Sequence, residues 1–113
     1  MALLEDGHRE RLGRLGARAT VTRDAAGRKA NIFATLGPET DGGVVLSGHT
    51  DVVPVEGQDW SADPFVVVTR ESRLYGRGTC DMKGFIACAL ALAPRYAAAK
   101  LSRPLHFAFT YDE

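Results

Sequence analysis

The chain of 113 residues is long enough for one domain with a hydrophobic core and too short for two. Hydrophobic residues make up 45% of it and charged residues 25%, a globular composition that argues against intrinsic disorder. The 14 Lys and Arg balance the 14 Asp and Glu, and this zero net charge argues against nucleic acid as a partner.

Two further features of the sequence bear on the cellular location of the protein. The longest apolar run, residues 85–94, is too short to span a bilayer, and the first residues lack the apolar core of a signal peptide. Cys80 and Cys88 are the only cysteines, which is too few for a disulfide scaffold. We therefore expect no membrane partner and a location in the reducing cytoplasm.

The first part of the chain predicts a helix followed by two paired strands. Leucines at roughly helical spacing lie among charged residues from residue 2 to residue 16, which predicts a short amphipathic helix. Residues 17–23 alternate weakly between apolar and polar and predict a strand. After a turn at residues 24–27, residues 30–36 predict a second strand, antiparallel to the first.

The middle of the chain predicts three more strands. Residues 44–48 form a short apolar run after a Gly-rich loop at residues 37–43, and such a run is typical of a strand buried on both faces. Residues 64–69 are rich in β-forming residues and can pair with residues 73–75. The intervening residues 71–72, Glu-Ser, make a poor hairpin turn because neither is Gly or Asn.

The last part predicts a helix and a strand. Residues 81–100 carry a wide apolar face, and Pro94 is expected to kink or break this helix because proline loses one backbone hydrogen bond. Residues 105–110 alternate, with Phe107 and Phe109 on one face. Strands separated by a helix predict a crossover, and hence an α/β fold with a mixed, mostly parallel sheet and flanking helices.

Three residues with side chains suited to chemistry follow the predicted strands. His49 ends one apolar strand and Glu113 follows another, and ligands of α/β sheets gather at the carboxyl ends of strands. Asp51 lies two residues after His49, so its carboxylate can hold one ring nitrogen and leave the other for a metal ion. A structural alternative stays open, because a histidine can simply end a strand and aspartate is a common turn residue.

Asp81 and Glu113 each allow two interpretations. Asp81 is either a helix N-cap, where the helix dipole stabilises its anion, or a metal ligand supported by the same dipole. Glu113 is either an exposed acidic terminus or a general base at a strand end. The glycines around Asp81 predict unusual backbone angles, and their spacing excludes a phosphate-binding loop.

Two stretches resemble the signatures of the dinuclear zinc aminoacylase and carboxypeptidase family. Residues 47–55 read SGHTDVVPV and resemble the first signature, and residues 74–84 read LYGRGTCDMKG and resemble the second. The resemblance extends from residue 28 to residue 113. The sequence DMKGF, the segment 60–65 and the terminal YDE look most like the acetylornithine deacetylase branch.

The resemblance implies a role for each candidate residue. His49 ligates one metal, Asp51 orients His49, and Asp81 bridges two metals through a carboxylate that precedes a cis Asp81-Met82 bond. Glu113 is the general base that activates the attacking water. The cofactors implied for the complete protein are two divalent metal ions, zinc or cobalt.

The function implied is hydrolysis of the amide bond of N-acyl amino acids. N-Acetylornithine, cleaved to ornithine and acetate in arginine biosynthesis, is the first substrate expected, and the full-length enzyme is expected to be a homodimer. A related acylase or dipeptidase, such as a succinyl-diaminopimelate desuccinylase, is the alternative within the enzyme class. A non-catalytic binding module with the same fold is the alternative outside it.

The family pattern continues beyond residue 113 with further metal ligands and a lid and dimerisation domain. We therefore expect residues 1–113 to be a partial metallohydrolase catalytic domain, truncated at the C-terminus and also at the N-terminus. Because His49 and Asp81 alone cannot supply the four ligands that zinc favours, the 113-residue chain by itself is expected to bind zinc weakly and to have negligible deacylase activity.

Overall fold

The computed structural model describes residues 4–113, and the side chains from residue 6 onward. Two helices and six strands form in these residues. In chain order they are α1 (Leu4–Arg14), β1 (Arg18–Arg23), β2 (Ala30–Leu36), β3 (Val44–His49), β4 (Val68–Arg70), β5 (Arg73–Tyr75), α2 (Gly84–Ala98) and β6 (Leu105–Thr110). A π-helical turn, Thr79–Lys83, precedes α2 and is called the Asp81 turn below. The helix start predicted at residue 2 lies outside the described residues.

The main sheet has the strand order β1-β2-β6-β3. β1 pairs antiparallel with β2, β2 antiparallel with β6, and β3 parallel with β6. The mixed sheet with flanking helices is confirmed, and so is the crossover through α2 that joins the parallel pair. The expectation of a mostly parallel sheet is wrong for the described strands. In addition to the predicted antiparallel pair of β1 and β2, β6 pairs antiparallel with β2, which leaves β3 and β6 as the parallel pair.

The core lies between this sheet and the two helices. Phe107 and Phe109 on β6 share one face, as their alternation predicted, and both are fully buried in the core with the apolar side of α2. The other core residues are Leu12 of α1, Ile32, Ala34 and Leu36 of β2, and Ile86, Ala89, Leu90 and Ala93 of α2. No helix among residues 4–113 is long and apolar enough to cross a membrane.

β3 differs from its prediction as a strand buried on both faces. Its first two residues, Val44 and Val45, are 59% and 52% exposed. Within the described residues β3 lies at the edge of the sheet, with β6 as its neighbour. An apolar run indicates that a segment forms a strand, but it does not show which strands lie beside it.

α2 begins later than predicted and continues further than Pro94. It starts at Gly84, because the backbone of Asp81 (φ −123°, ψ 96°) and of Met82 (φ −138°, ψ 34°) is not helical. Pro94 lies inside the helix, which runs on to Ala98. Buried Ala93, next to the proline, holds this part of α2 against the sheet.

β4 and β5 form a separate two-stranded hairpin, despite the unfavourable turn sequence. Glu71 and Ser72 adopt left-handed angles, with φ of 48° and 59°. These are the angles that the tight hairpin turn requires and that Gly or Asn adopts more readily. The Arg70 guanidinium lies 4.8 Å from the centre of the Tyr75 ring across the hairpin.

Candidate metal centre

Three chain segments meet at the carboxyl edge of the parallel strand pair. β3 and β6 run side by side, with His49 in register with Thr110, so both chains leave the sheet at the same edge. The amide nitrogen of Thr50 donates to the Thr110 carbonyl oxygen over 2.7 Å, which continues the pairing one residue past β3. The Asp81 turn forms the third segment and lies against β3.

His49 is the centre of the cluster, and its side chain is only 12% exposed. Its Nε2 lies 2.9 Å from Oδ1 of Asp81 and 3.8 Å from Oε2 of Glu113. Its Nδ1 lies 3.1 Å from the carbonyl oxygen of Asp51 and 3.3 Å from Oδ1 of Asp51. The structure therefore brings together all four residues predicted from the sequence.

The partners of the His49 ring define its protonation. The Asp51 carbonyl can only accept a hydrogen bond, so Nδ1 carries a proton. A carboxylate oxygen also accepts hydrogen bonds, so the 2.9 Å contact between Nε2 and Oδ1 of Asp81 is a hydrogen bond when Nε2 carries a proton. A metal ion bound at Nε2 would take the place of that proton, and the bond from Nδ1 to the Asp51 carbonyl would remain available to orient the ring.

The electrostatics of the cluster agree with this geometry. Burial lowers the pKa of His49, and this is the largest single influence on it. The hydrogen bonds to the Asp51 carbonyl and to Asp81, together with the negative charges of Glu113 and Asp51, outweigh burial and raise the pKa above 6.5. The site is therefore built to hold positive charge at the His49 ring.

Glycines allow the His49 segment and the Asp81 turn to approach closely. A Cβ atom on Gly48 would lie 3.0 Å from Cγ1 of Ile86 and 3.4 Å from Cε of Met82. A Cβ atom on Gly78 would lie only 2.6 Å from Cγ1 of Val52, and the φ of +81° at Gly78 also disfavours any side chain. A side chain at either position would move the turn away from His49.

The structure contradicts one of the two interpretations of Asp81. Asp81 is not the N-cap of α2, which starts after Lys83 without a side-chain capping bond. Its carboxylate is 71% exposed and bonds to His49. The peptide bond between Asp81 and Met82 is cis, as the family resemblance implied.

Two residues that contribute to the site were missed from the sequence. Lys83 Nζ donates to the carbonyl oxygen of Thr50, between His49 and Asp51. Arg77 donates through Nη2 to Gln58 and lies with its guanidinium 5.1 Å from the ring centre of Trp60, which ties the loop after β3 to the start of the Asp81 turn. The only sequence signal for either was a basic residue within a Gly-rich turn that also carries a candidate ligand.

The chemistry of the donor set fits a divalent metal ion. Imidazole nitrogen and carboxylate oxygen are both zinc ligands, and the two donors already point at each other. Oδ1 of Asp51 is shielded from solvent without a conventional hydrogen bond in the described part of the chain, and it faces Nδ1 of His49, as an orienting carboxylate would. Among residues 4–113, no group of three or more His, Cys, Asp or Glu side chains is arranged to hold a metal. The described residues therefore bring one imidazole and one carboxylate together, which is fewer than the four ligands that zinc takes.

Comparison with known proteins agrees with this picture. The sequence profile of peptidase family M20/M25/M40 matches residues 45–113, which is more than half of the chain. The chain belongs to this family. The matched M20/M25/M40 region begins within β3 and includes the four residues of the cluster, so the resemblance seen in the sequence is confirmed.

Individual M20 relatives match over most of the chain. Acetylornithine deacetylase of Photorhabdus laumondii is 45% identical over 85 residues, which cover 75% of this chain and 22% of the relative. Acetylornithine deacetylase of Pasteurella multocida is 40% identical over 103 residues, which cover 90% of this chain and 27% of the relative. The crystal structure of human carnosine dipeptidase 1 superposes with a TM-score of 0.77 at 29% identity. The match covers 95% of this chain and 25% of the dipeptidase chain. The chain thus spans about a quarter of the length of these relatives.

Proposed function

We propose that this chain forms one side of the metal centre of a longer amide hydrolase. The observation that supports this most strongly is the convergence of His49 Nε2 on Asp81 at 2.9 Å, with Glu113 3.8 Å away at the same edge of the sheet. Further ligands and the lid and dimerisation domain belong to the rest of the protein in this proposal, and residues 1–113 are a partial catalytic domain.

Each residue of the cluster has a distinct role in the proposal. His49 and Asp81 hold the metal, and Asp51 fixes the orientation of the His49 ring through Nδ1. A bound divalent metal ion, zinc or cobalt, polarises the scissile carbonyl and makes water a stronger acid. Glu113, whose side chain is 73% exposed, accepts the proton of the attacking water and then delivers it to the leaving amine.

N-Acetylornithine is the first substrate we propose, with arginine biosynthesis as the process. The support is the identity of 40–45% to proteins named acetylornithine deacetylase. A dipeptide is the second candidate, because a dipeptidase superposes on 95% of the chain. Exposed free thiols at Cys80 and Cys88 fit the cytoplasm that we propose as the compartment. A homodimer is the proposed assembly of the full-length enzyme.

The test is a substrate comparison on the full-length protein. The metal-stripped protein is reloaded with zinc or cobalt and offered N-acetylornithine, N-succinyl-diaminopimelate and a dipeptide. We expect metal-dependent hydrolysis with the highest kcat/KM on N-acetylornithine. A higher kcat/KM on a dipeptide would favour the second candidate, and no turnover of any substrate with either metal would favour a binding module.

A further inference from the structure

We propose that Lys83 is a positioning residue that sets the separation of the two metal-ligand segments and thereby the affinity for metal. The inference rests on the proposed function, because it concerns how His49 and Asp81 come to face each other. These residues lie 32 positions apart in the chain, so their separation depends on contacts across space. Lys83 makes a direct polar contact of this kind.

The acceptor of the Lys83 contact is the backbone at the centre of the first segment. Lys83 Nζ donates to the carbonyl oxygen of Thr50, the residue between His49 and Asp51. On its other side, Thr50 donates to the carbonyl oxygen of Thr110 through both its amide nitrogen (2.7 Å) and its hydroxyl (3.1 Å). The three segments of the site therefore meet at one residue, Thr50.

The donor end of the contact is firmly attached to the Asp81 turn. The amide nitrogen of Lys83 donates to the carbonyl oxygen of Gly78 over 2.8 Å, which closes the turn around Asp81. The next residue, Gly84, donates to carbonyl oxygens of Thr79 and Met82. Because the Lys83 backbone is held within the turn, the bond from its ammonium group to Thr50 links the turn that carries Asp81 to the segment that carries His49.

The shape and charge of lysine suit this role. The side chain is half-buried, and its Cδ lies 3.6 Å from the position that a Cβ atom on Gly78 would take, so the stem runs beside the Asp81 turn before the ammonium group reaches Thr50. A charged donor makes a stronger hydrogen bond to a carbonyl than a neutral donor does. Methionine has an unbranched side chain of similar length, so Lys83→Met keeps the packing of the stem and removes only the donor.

The experiment compares zinc affinity across variants of the full-length protein by competition with a chromophoric chelator. We expect Lys83→Met to weaken zinc binding about 10–100-fold, the range found when groups that hold metal ligands in place are removed. The matched control is Lys100→Met, which removes an exposed lysine just after α2 and is expected to leave the affinity unchanged. The visible spectrum of the Co²⁺ form reports ligand geometry, and we expect it to change in Lys83→Met but not in Lys100→Met.

A second variant keeps the test valid if Lys83→Met does not fold. Lys83→Arg retains the charge, but its larger planar head displaces the Thr50 carbonyl, so we expect weaker zinc binding and an altered Co²⁺ spectrum. Zinc affinity and a Co²⁺ spectrum equal to those of the wild type, in Lys83→Met or in Lys83→Arg, would overturn the inference and leave the proposed function standing. A wild-type protein that binds no zinc would instead contradict the proposed function itself.

Discussion

The imidazole of His49 and the carboxylate of Asp81 form a 2.9 Å contact across 32 residues of sequence. The contact forms because β3 and α2 pack closely through Gly48, which leaves room for Met82 and Ile86. In this arrangement the hydrogen bond occupies the ring nitrogen that we assign to the metal. Metal binding at Nε2 and this hydrogen bond therefore exclude each other.

Glu113→Gln tests the proposed general base. The amide keeps the size of the side chain but cannot accept a proton, so we expect kcat of the full-length enzyme to fall about 10²–10⁴-fold. Metal content and KM are expected to stay close to those of the wild type. Asp112→Asn, at the exposed neighbouring residue, is the control and is expected to change kcat little. A full kcat in Glu113→Gln would rule out this role.

Asp51→Asn tests the residue that orients His49. Loss of the carboxylate near Nδ1 is expected to weaken zinc binding toward the lower end of a range of about 10–100-fold. The lower end is expected because the Asp51 carbonyl, 3.1 Å from Nδ1, remains. Chelator competition measures the affinity, with Asp59→Asn in the exposed loop after β3 as the control. Equal affinities in the two variants would show that the carboxylate has no orienting effect.

Gly48→Ala tests the close packing of β3 on α2. The added methyl group meets Ile86 at 3.0 Å, and such overpacking is expected to lower the free energy of unfolding by about 1–3 kcal/mol. Gly13→Ala is the control, because its methyl group meets nothing within 4 Å in α1, and it is expected to raise stability by up to about 1 kcal/mol. Combining Gly48→Ala with Ile86→Ala relieves the contact, so the two effects should not add. Strict additivity in denaturant unfolding would contradict the packing described.

Asp24→Asn tests the pH dependence of the connection between β1 and β2. Oδ1 of Asp24 accepts hydrogen bonds from the amides of Arg28 and Lys29 over 2.8 and 2.9 Å. The bond to Lys29 is the main cause that lowers the pKa of Asp24 below 3.8; burial opposes it, and the bond to Arg28 and both cationic side chains add to it. The folded-state pKa is the lower one, so the stabilisation is complete above 3.8 and is lost as the pH falls through the folded-state value.

The measurement for Asp24 is the unfolding free energy at several pH values. The stability difference between wild type and Asp24→Asn is expected to be largest near neutral pH and to shrink between about pH 5 and about pH 2. Asp41→Asn, in the loop before β3, controls for the loss of one negative charge. A difference that is independent of pH would show that the carboxylate does not act through its ionised form.

Local patterns in the sequence predicted the elements but not all of their surroundings. The alternation from Leu105 to Thr110 predicted both the strand and the face that Phe107 and Phe109 share, because side chains on a strand alternate with a period of two. The burial of β3 was predicted wrongly, since exposure of Val44 and Val45 depends on which strands lie alongside. The start of α2 was also predicted wrongly, because the backbone at Asp81 follows from its contacts in the site.

The candidate site was likewise predicted only in part from the sequence. His49, Asp51, Asp81 and Glu113 were candidates because imidazole and carboxylate groups stand at strand ends and in a Gly-rich turn, and the family resemblance then implied a role for each. The contact of Lys83 was not, because its acceptor is a backbone carbonyl, which every residue carries. Only the packing of the Asp81 turn on β3 reveals which carbonyl is near enough.

The most direct test of the central claim is to locate the metal by anomalous X-ray scattering from crystals of the full-length protein grown with zinc. We expect an anomalous peak bonded to Nε2 of His49 and to the carboxylate of Asp81, with Nδ1 of His49 still facing Asp51. A peak remote from both residues, with the hydrogen bond between His49 and Asp81 intact, would contradict the account.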